Sequence, residues 1–116
     1  MNQHAGLSPE RWGQFTLDQQ ILMIANEMNR ASKLFEPANL ARLLNSYERI
    51  LHLTDLTIRS QTGYGFRREL LRWRDLVAAQ YVMEAPSAIS HRETFRALLR
   101  FTPEASRQIA HLPATR

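Results

Sequence analysis

Apolar residues recur in this chain at steps of three and four over most of its length, which is the period of a helix buried on one side. In the first such segment, the repeat consists of Leu17, Ile21, Ile24, Ala25, Met28, Ala31 and Leu34. Thr16 precedes this segment and Gln19 follows three residues later, which is the spacing of a capping box. The pattern therefore predicts a first long helix over residues 17–34.

Two further segments show the same period. Pro37 ends the first helix and can open the next, so a second helix is predicted from residue 38 to about residue 60. The third helix is predicted over residues 66–84, with Trp73 at the centre of its apolar stripe, as Leu44 is in the second. Between these helices, Gly63 and Gly65 predict a turn with positive φ.

The C-terminal part of the chain predicts two shorter helices. Ser90 and Glu93 have the spacing of a capping box for a helix over residues 91–101. Thr102 before a proline is typical of a cap and a first helical position, which predicts the last helix over residues 103–112. Near the other end, Ser8 and Pro9 predict a single turn that carries Trp12.

Together these segments predict an all-α fold, a small antiparallel helical bundle with three long helices and a C-terminal pair of shorter ones. The three long helices would be about 27 to 35 Å in length, so they can lie side by side. A chain of 116 residues is near the usual size of one domain. We therefore expect residues 1–116 to form a single domain in which residues 1–15 are a partly ordered N-terminal segment.

The composition excludes several classes of protein. The chain contains no cysteine, which excludes disulfides, thiolate nucleophiles and thiolate metal sites. Its longest uninterrupted apolar run, residues 21–25, is far shorter than the roughly 20 residues that span a bilayer, and no signal-peptide pattern is visible. We therefore expect a cytoplasmic protein with no membrane partner.

Residue patterns for catalysis and metal binding are weak. His52 and Asp55 share a helix face, but no second cluster supplies further metal ligands. The acidic residues lack the spacing of a shared reaction centre, and no serine lies in a nucleophile-elbow motif. The sequence thus predicts a non-enzymatic protein with no catalytic residue, no metal and no cofactor.

Large apolar residues outside the narrow helical stripes suggest an intermolecular contact. Leu22 and Met23 lie in a run of four such residues, whose directions cover the whole circumference of the first helix. Leu71 and Leu76 fall outside the stripe of the third helix. These four residues are the predicted interface of a homo-oligomer, unless other segments of the same chain cover them.

Basic residues at two predicted helix starts suggest an anion site. The chain carries 15 basic and 11 acidic residues, and Lys33 is the single lysine. The N-terminus of a helix carries a partial positive charge, so an arginine there is unfavourable unless an anion compensates its charge. The predicted anion or nucleic-acid site consists of Gly63, Tyr64, Gly65, Arg67, Arg68, Arg92, Arg96 and Arg100. The alternative is that these arginines are ordinary solvated side chains.

The sequence does not single out one function. The leading hypothesis is a helical-bundle interaction or regulatory protein whose partner is itself or another protein. The second hypothesis is a nucleic-acid-binding module that uses the arginines at its helix starts, and a metal or cofactor bundle is a minor third. A helix-turn-helix over the last two predicted helices is weakly indicated, since the turn lacks glycine. Convergence of the arginines on one face would favour the second hypothesis over the first.

Overall fold

A computed structural model describes residues 8–61, 63–83 and 85–112 of the chain. Regular structure in these residues is helical throughout, which confirms the predicted all-α helical bundle. The α-helices are α1 (Pro9–Trp12), α2 (Leu17–Ala31), α3 (Leu40–Ser60), α4 (Tyr64–Val82), α5 (Ala88–Leu99) and α6 (Pro103–Ser106). Two short 3₁₀ turns, Pro37–Asn39 and Ile109–His111, complete the described elements.

Four helices form the body of the fold. α2 packs against α3 and α5, and α4 packs against the same two helices, so α2 and α4 lie at opposite corners. Ser60 near the end of α3 donates to Gln20 early in α2, whereas Ser46 donates to Glu27 further along α2. These contacts make α2 and α3 antiparallel. The same order relates α3 to α4 and α4 to α5, through Asp55–Arg74, Glu48–Tyr81, Trp73–Thr94 and Gln80–Ser87.

The core lies between these four helices. Its fully buried members include Ile21, Ile24, Met28, Leu43, Tyr47, Ile50, Leu53, Leu56, Leu70, Leu98 and Leu99. Trp73 is also buried, as predicted, but Leu44 is only half-buried because α3 turns Leu43 and Tyr47 inward instead. The prediction for Leu44 is therefore wrong by one position on the helix.

The N-terminal turn adds a large aromatic ring to the core. Ser8 caps α1, with its hydroxyl oxygen accepting from the backbone N–H of Arg11, and this turn carries Trp12 as predicted. Trp12 is fully buried and donates from Nε1 to Thr57 Oγ1 at 2.8 Å. Residues 8–15 are thus attached to α3, while residues 1–7 lie outside the described part of the chain.

The structure corrects the predicted glycine turn. α4 begins at Tyr64, two residues earlier than predicted, so Gly65 lies inside the helix and Gly63 is its N-cap. Neither of these glycines has a positive φ. The two glycines therefore do not form the left-handed turn that their spacing suggested.

The C-terminal predictions also need correction. α5 begins one turn earlier than predicted, because the side chain of Ser87, not Ser90, accepts from the helix N-terminus. His91 and Arg92 are therefore not in the first turn of α5. The last predicted helix, 103–112, is a single α-helical turn after the predicted Thr102 cap, followed by a 3₁₀ turn.

Candidate functional site

The arginines expected to form an anion site lie on different sides of the bundle. Arg67 is spaced by seven residues from Arg74 and by fourteen from Tyr81, and both of those side chains bond to α3. Arg67 therefore lies toward the α3 side of α4, whereas Arg68 is exposed on the outward side. The two arginines at the start of α4 thus diverge.

The arginines of α5 are spread along that helix. Arg100 lies beside Gly65 and Phe66 at the start of α4, but Arg92 lines a separate concavity with Lys33 near the end of α2. At 1.5 Å per residue, Arg92 and Arg100 are about 12 Å apart along the helix axis. Arg96 lies between them and is half-buried. The eight residues of the expected site are therefore divided among separate surfaces.

The four residues expected at an oligomer interface divide into two pairs. Leu22 and Met23 are half-buried against the core, since α2 is covered by α3 on one side and by α5 and α6 on the other. Leu71 and Leu76 are 48% and 51% exposed on α4. An apolar surface available to a partner therefore remains on α4.

The exposed side of α4 is a continuous surface, which we call the outer face. It contains the apolar residues Tyr64, Leu71, Leu76, Val82 and the flanking Met83 together with Gly65, Arg68, Arg72, Asp75 and Ala79, all of them exposed. Tyr64 and Val82 at its two ends are the most exposed of its apolar side chains, at 80% and 77%. The sequence predicted Tyr64 in a turn, as part of the anion site, and did not single out Val82.

The outer face has an internal symmetry about the midpoint between Trp73 and Arg74. Leu71 and Leu76 are equally distant from this midpoint along the sequence, and so are Arg72 and Asp75. At the ends, Tyr64 matches Met83 in the same way, and Gly65 matches Val82. Two copies of α4 in antiparallel contact about this midpoint would place leucine opposite leucine and arginine opposite aspartate.

A groove borders the outer face where α4 meets α5. Its volume is about 630 Å³, and its lining is largely apolar. Phe66 and Phe101 close one end of the groove, with ring centroids 5.4 Å apart in an edge-to-face arrangement. Leu76 belongs to both the groove and the outer face, so the exposed apolar surface continues around α4 toward α5.

A buried histidine connects three helices in the core. Tyr47 on α3 donates its hydroxyl to Nδ1 of His91 at 2.6 Å, and Nε2 of His91 donates to the carbonyl oxygen of Met28 on α2 at 2.9 Å. Because that carbonyl can only accept, Nε2 carries a proton, and in the neutral ring Nδ1 then accepts the Tyr47 hydroxyl. Burial lowers the pKa of His91 and raises the pKa of Tyr47. We assign this network to stability, since it lies within the core.

The polar side chains that were weighed as metal ligands have structural partners. Asp55 accepts from Arg74 at 2.5 Å and 3.2 Å, which links α3 to α4. Within the described residues, no group of three or more His, Asp or Glu side chains is arranged to hold a metal ion. In the same part of the chain, no helix is both long enough and apolar enough to cross a bilayer.

Comparisons of the chain with protein-family models, with curated proteins and with solved structures found no match. The geometry of the described residues is therefore the basis of the functional proposal.

Proposed function

We propose that this chain is a non-enzymatic, cytoplasmic helical interaction module that pairs with a second copy of itself through the outer face of α4. The observation that carries this proposal is the symmetric order of the outer face about its midpoint. A two-fold dimer interface uses the same surface on both copies, so that surface must be complementary to itself.

The apolar residues of the outer face supply a driving force for this pairing. Leu71 and Leu76 are each about half exposed in the single chain, and each lies opposite the other in the pair. Removal of apolar surface from water contributes roughly 25 cal/mol per Å². The matched ends of the helix, where Tyr64 lies opposite Met83 of the second copy, extend the contact over the length of α4.

The charged residues of the outer face determine whether the two copies of α4 pair in antiparallel or parallel orientation. In the antiparallel pair, Arg72 of each copy lies opposite Asp75 of the other, whereas a parallel pair would place like charges together. Complementary charges of this kind contribute more to specificity than to affinity. The charge order therefore favours the antiparallel pair.

Nucleic-acid binding, the second hypothesis from the sequence, is not proposed. It depended on the convergence of these arginines on one face, where they could contact a phosphate backbone. Arg67, Arg68, Arg92 and Arg100 face different surroundings, so they do not form one such face.

Replacement of Leu71 and Leu76 by glutamate tests the proposed pairing. Sedimentation at micromolar concentration should give a dimer mass for the wild type and a single-chain mass for L71E/L76E, because four added charges would meet in the pair. Both positions are about half exposed, so the fold should persist, as circular dichroism can verify. The matched control is L40E, at an exposed leucine on α3, which should remain dimeric. A wild type that sediments as a single chain at every concentration contradicts the proposal.

A further inference from the structure

A concavity between the end of α2 and the first half of α3 is lined mainly by cations. Its volume is about 380 Å³, and its lining residues, which we call the basic pocket, are Arg30, Lys33, Leu34, Arg42, Asn45 and Arg49. Within the part of the chain that the structure describes, no carboxylate lines this pocket. The helical spacing of Arg42, Asn45 and Arg49 places all three side chains on one side of α3.

A buried carboxylate beside the pocket positions two of its arginines. The side chain of Glu27 on α2 is only 5% exposed, and it accepts from Arg30 Nη1 at 2.9 Å and lies 3.2 Å from Arg49 Nε. Ser46 donates to its second oxygen at 3.0 Å. Fixed by these contacts, Glu27 orients two guanidinium groups at the edge of the pocket.

The charge of the basic pocket is only partly compensated. Four cations and the single carboxylate of Glu27 leave a net charge of about +3. Among the described residues, Lys33 and Arg42 form no ion pair. Arg49 is largely buried and its Nε has no aligned hydrogen bond, although Glu27 is close.

Helix dipoles explain only some of these cations. Arg30 and Lys33 lie at the end of α2, where the partial negative charge of the helix favours them. Arg42 lies in the first turn of α3, where the dipole opposes a cation and no acidic residue compensates it. A bound anion would supply the missing compensation for Arg42.

We propose that the basic pocket binds a small phosphorylated ligand through a diphosphate group. Arginine presents a planar fork that matches phosphate oxygens, and a diphosphate carries about the charge that the pocket leaves uncompensated. The pocket volume lies within the usual range of about 300–1,000 Å³ for small-molecule sites. Inorganic pyrophosphate and a nucleoside diphosphate share this group, and Leu34 offers apolar contact to the organic part of the latter. The inference is independent of dimer formation.

Calorimetric titration of the full chain tests the pocket with three probes: inorganic phosphate, inorganic pyrophosphate and ADP. Pyrophosphate should bind more tightly than phosphate, and tighter binding of ADP would show that the pocket also contacts the organic part. R42Q should weaken pyrophosphate binding about tenfold, the factor for a loss of about 1.4 kcal/mol. Arg42 is exposed and has no partner in the described residues, so R42Q should fold normally. R42Q/R49Q should weaken binding further.

The matched control removes the same charge elsewhere. R67Q, on α4, should bind pyrophosphate as the wild type does, and so should the L71E/L76E variant, whose failure to pair leaves the pocket intact. Absence of pyrophosphate and ADP binding by the wild type would overturn the inference. Equal weakening in R42Q and R67Q would also overturn it, because the effect would then be one of net charge. An oligonucleotide is titrated in the same way, and its binding without binding of pyrophosphate or ADP would overturn the inference in favour of a nucleic-acid surface.

Discussion

His91 contributes to the fold through both nitrogens of its ring, and its burial favours the neutral imidazole. Its neighbours from other elements are Tyr47 and the backbone of Met28, while Phe35 and Phe95 lie against the ring. Burial is the main cause of its lowered pKa, and the nearby charge of Arg92 acts in the same direction, against the opposing effect of the Met28 hydrogen bond. In the unfolded chain the pKa returns to its ordinary value of 6.5.

This difference predicts how stability depends on pH. Between the lowered pKa of folded His91 and 6.5, the unfolded chain binds a proton that the folded chain does not, so the free energy of unfolding decreases as the pH falls through this window. Urea unfolding between pH 7.5 and pH 5, values that bracket the ordinary histidine pKa of about 6.5, measures the change. H91Q should be less stable at pH 7.5 but should lose this part of the pH dependence.

The control for this experiment is H111Q, at an exposed histidine in the C-terminal 3₁₀ turn. It should keep the pH dependence of the wild type. If H91Q and the wild type show the same dependence, His91 is not the group that titrates.

Buried polar residues were the hardest for the sequence to identify. Glu27 and His91 look like surface residues in their own helices, because local spacing does not reveal a partner on another helix. Glu27 is satisfied by Ser46, 19 residues away, and His91 by Tyr47, 44 residues away. The basic pocket was missed for the same reason, since its cations come from α2, the turn that follows it and α3.

At the level of the elements, a helix start is predicted correctly when its cap is formed by residues close together in the sequence. α2 begins as predicted, because the Thr16 side chain accepts from Gln19 N–H and the Gln19 side chain accepts from Thr16 N–H within four residues. α5 begins after the Ser87 cap, three residues before the Ser90 cap that the spacing predicted. The backbone N–H of Ser87 is bonded to the buried Gln80 of α4, a contact between helices that sequence spacing does not contain.

The corrected start of α4 predicts the effect of a glycine substitution. Gly65 has a helical position, and a Cβ there would meet no atom within 4 Å. Gly65→Ala should therefore raise the free energy of unfolding by about 0.5–1 kcal/mol, because alanine loses less conformational entropy in a helix. Thermal unfolding checks this. Gly13→Ala is the matched control and should not raise the free energy of unfolding, since its Cβ would lie 3.2 Å from the carbonyl oxygen of Pro9. If Gly65→Ala is less stable than the wild type, Gly65 lies in the turn that the sequence predicted and not in a helix.

For the whole molecule, the position of α4 at a corner of the bundle determines which surface is available. Its inner side packs on α3 and α5, which bury Leu70, Trp73 and Val77. The diagonal helix α2 is instead covered by three other elements, which explains why Leu22 and Met23 lie against the core. The sequence of each helix showed that both α2 and α4 carry apolar residues outside the buried stripe. Only the packing of the helices shows that these residues are covered on α2 and exposed on α4.

The antiparallel orientation of the proposed dimer predicts a charge-exchange effect between two variants. R72E and D75R each place like charges opposite one another twice in the pair, so each alone should dimerise at least about tenfold more weakly than the wild type. In an equimolar mixture, the heterodimer pairs Glu with Arg at one contact and keeps Asp opposite Arg at the other, so association should recover toward the wild-type level. Sedimentation of each variant and of the mixture measures this.

The exchange can be interpreted because the substituted residues contribute little to the single chain. Among the described residues, Arg72 forms an ion pair only with Glu69, at 3.5 Å, and both side chains are well exposed. Surface pairs of this kind contribute at most about 1 kcal/mol. R67E, on the α3 side of α4, is the control and should leave the dimer unchanged. A dimer that persists in all variants would have to use another surface. If instead the mixture associates as weakly as the separate variants, the two copies of α4 do not meet in antiparallel register about the midpoint between Trp73 and Arg74.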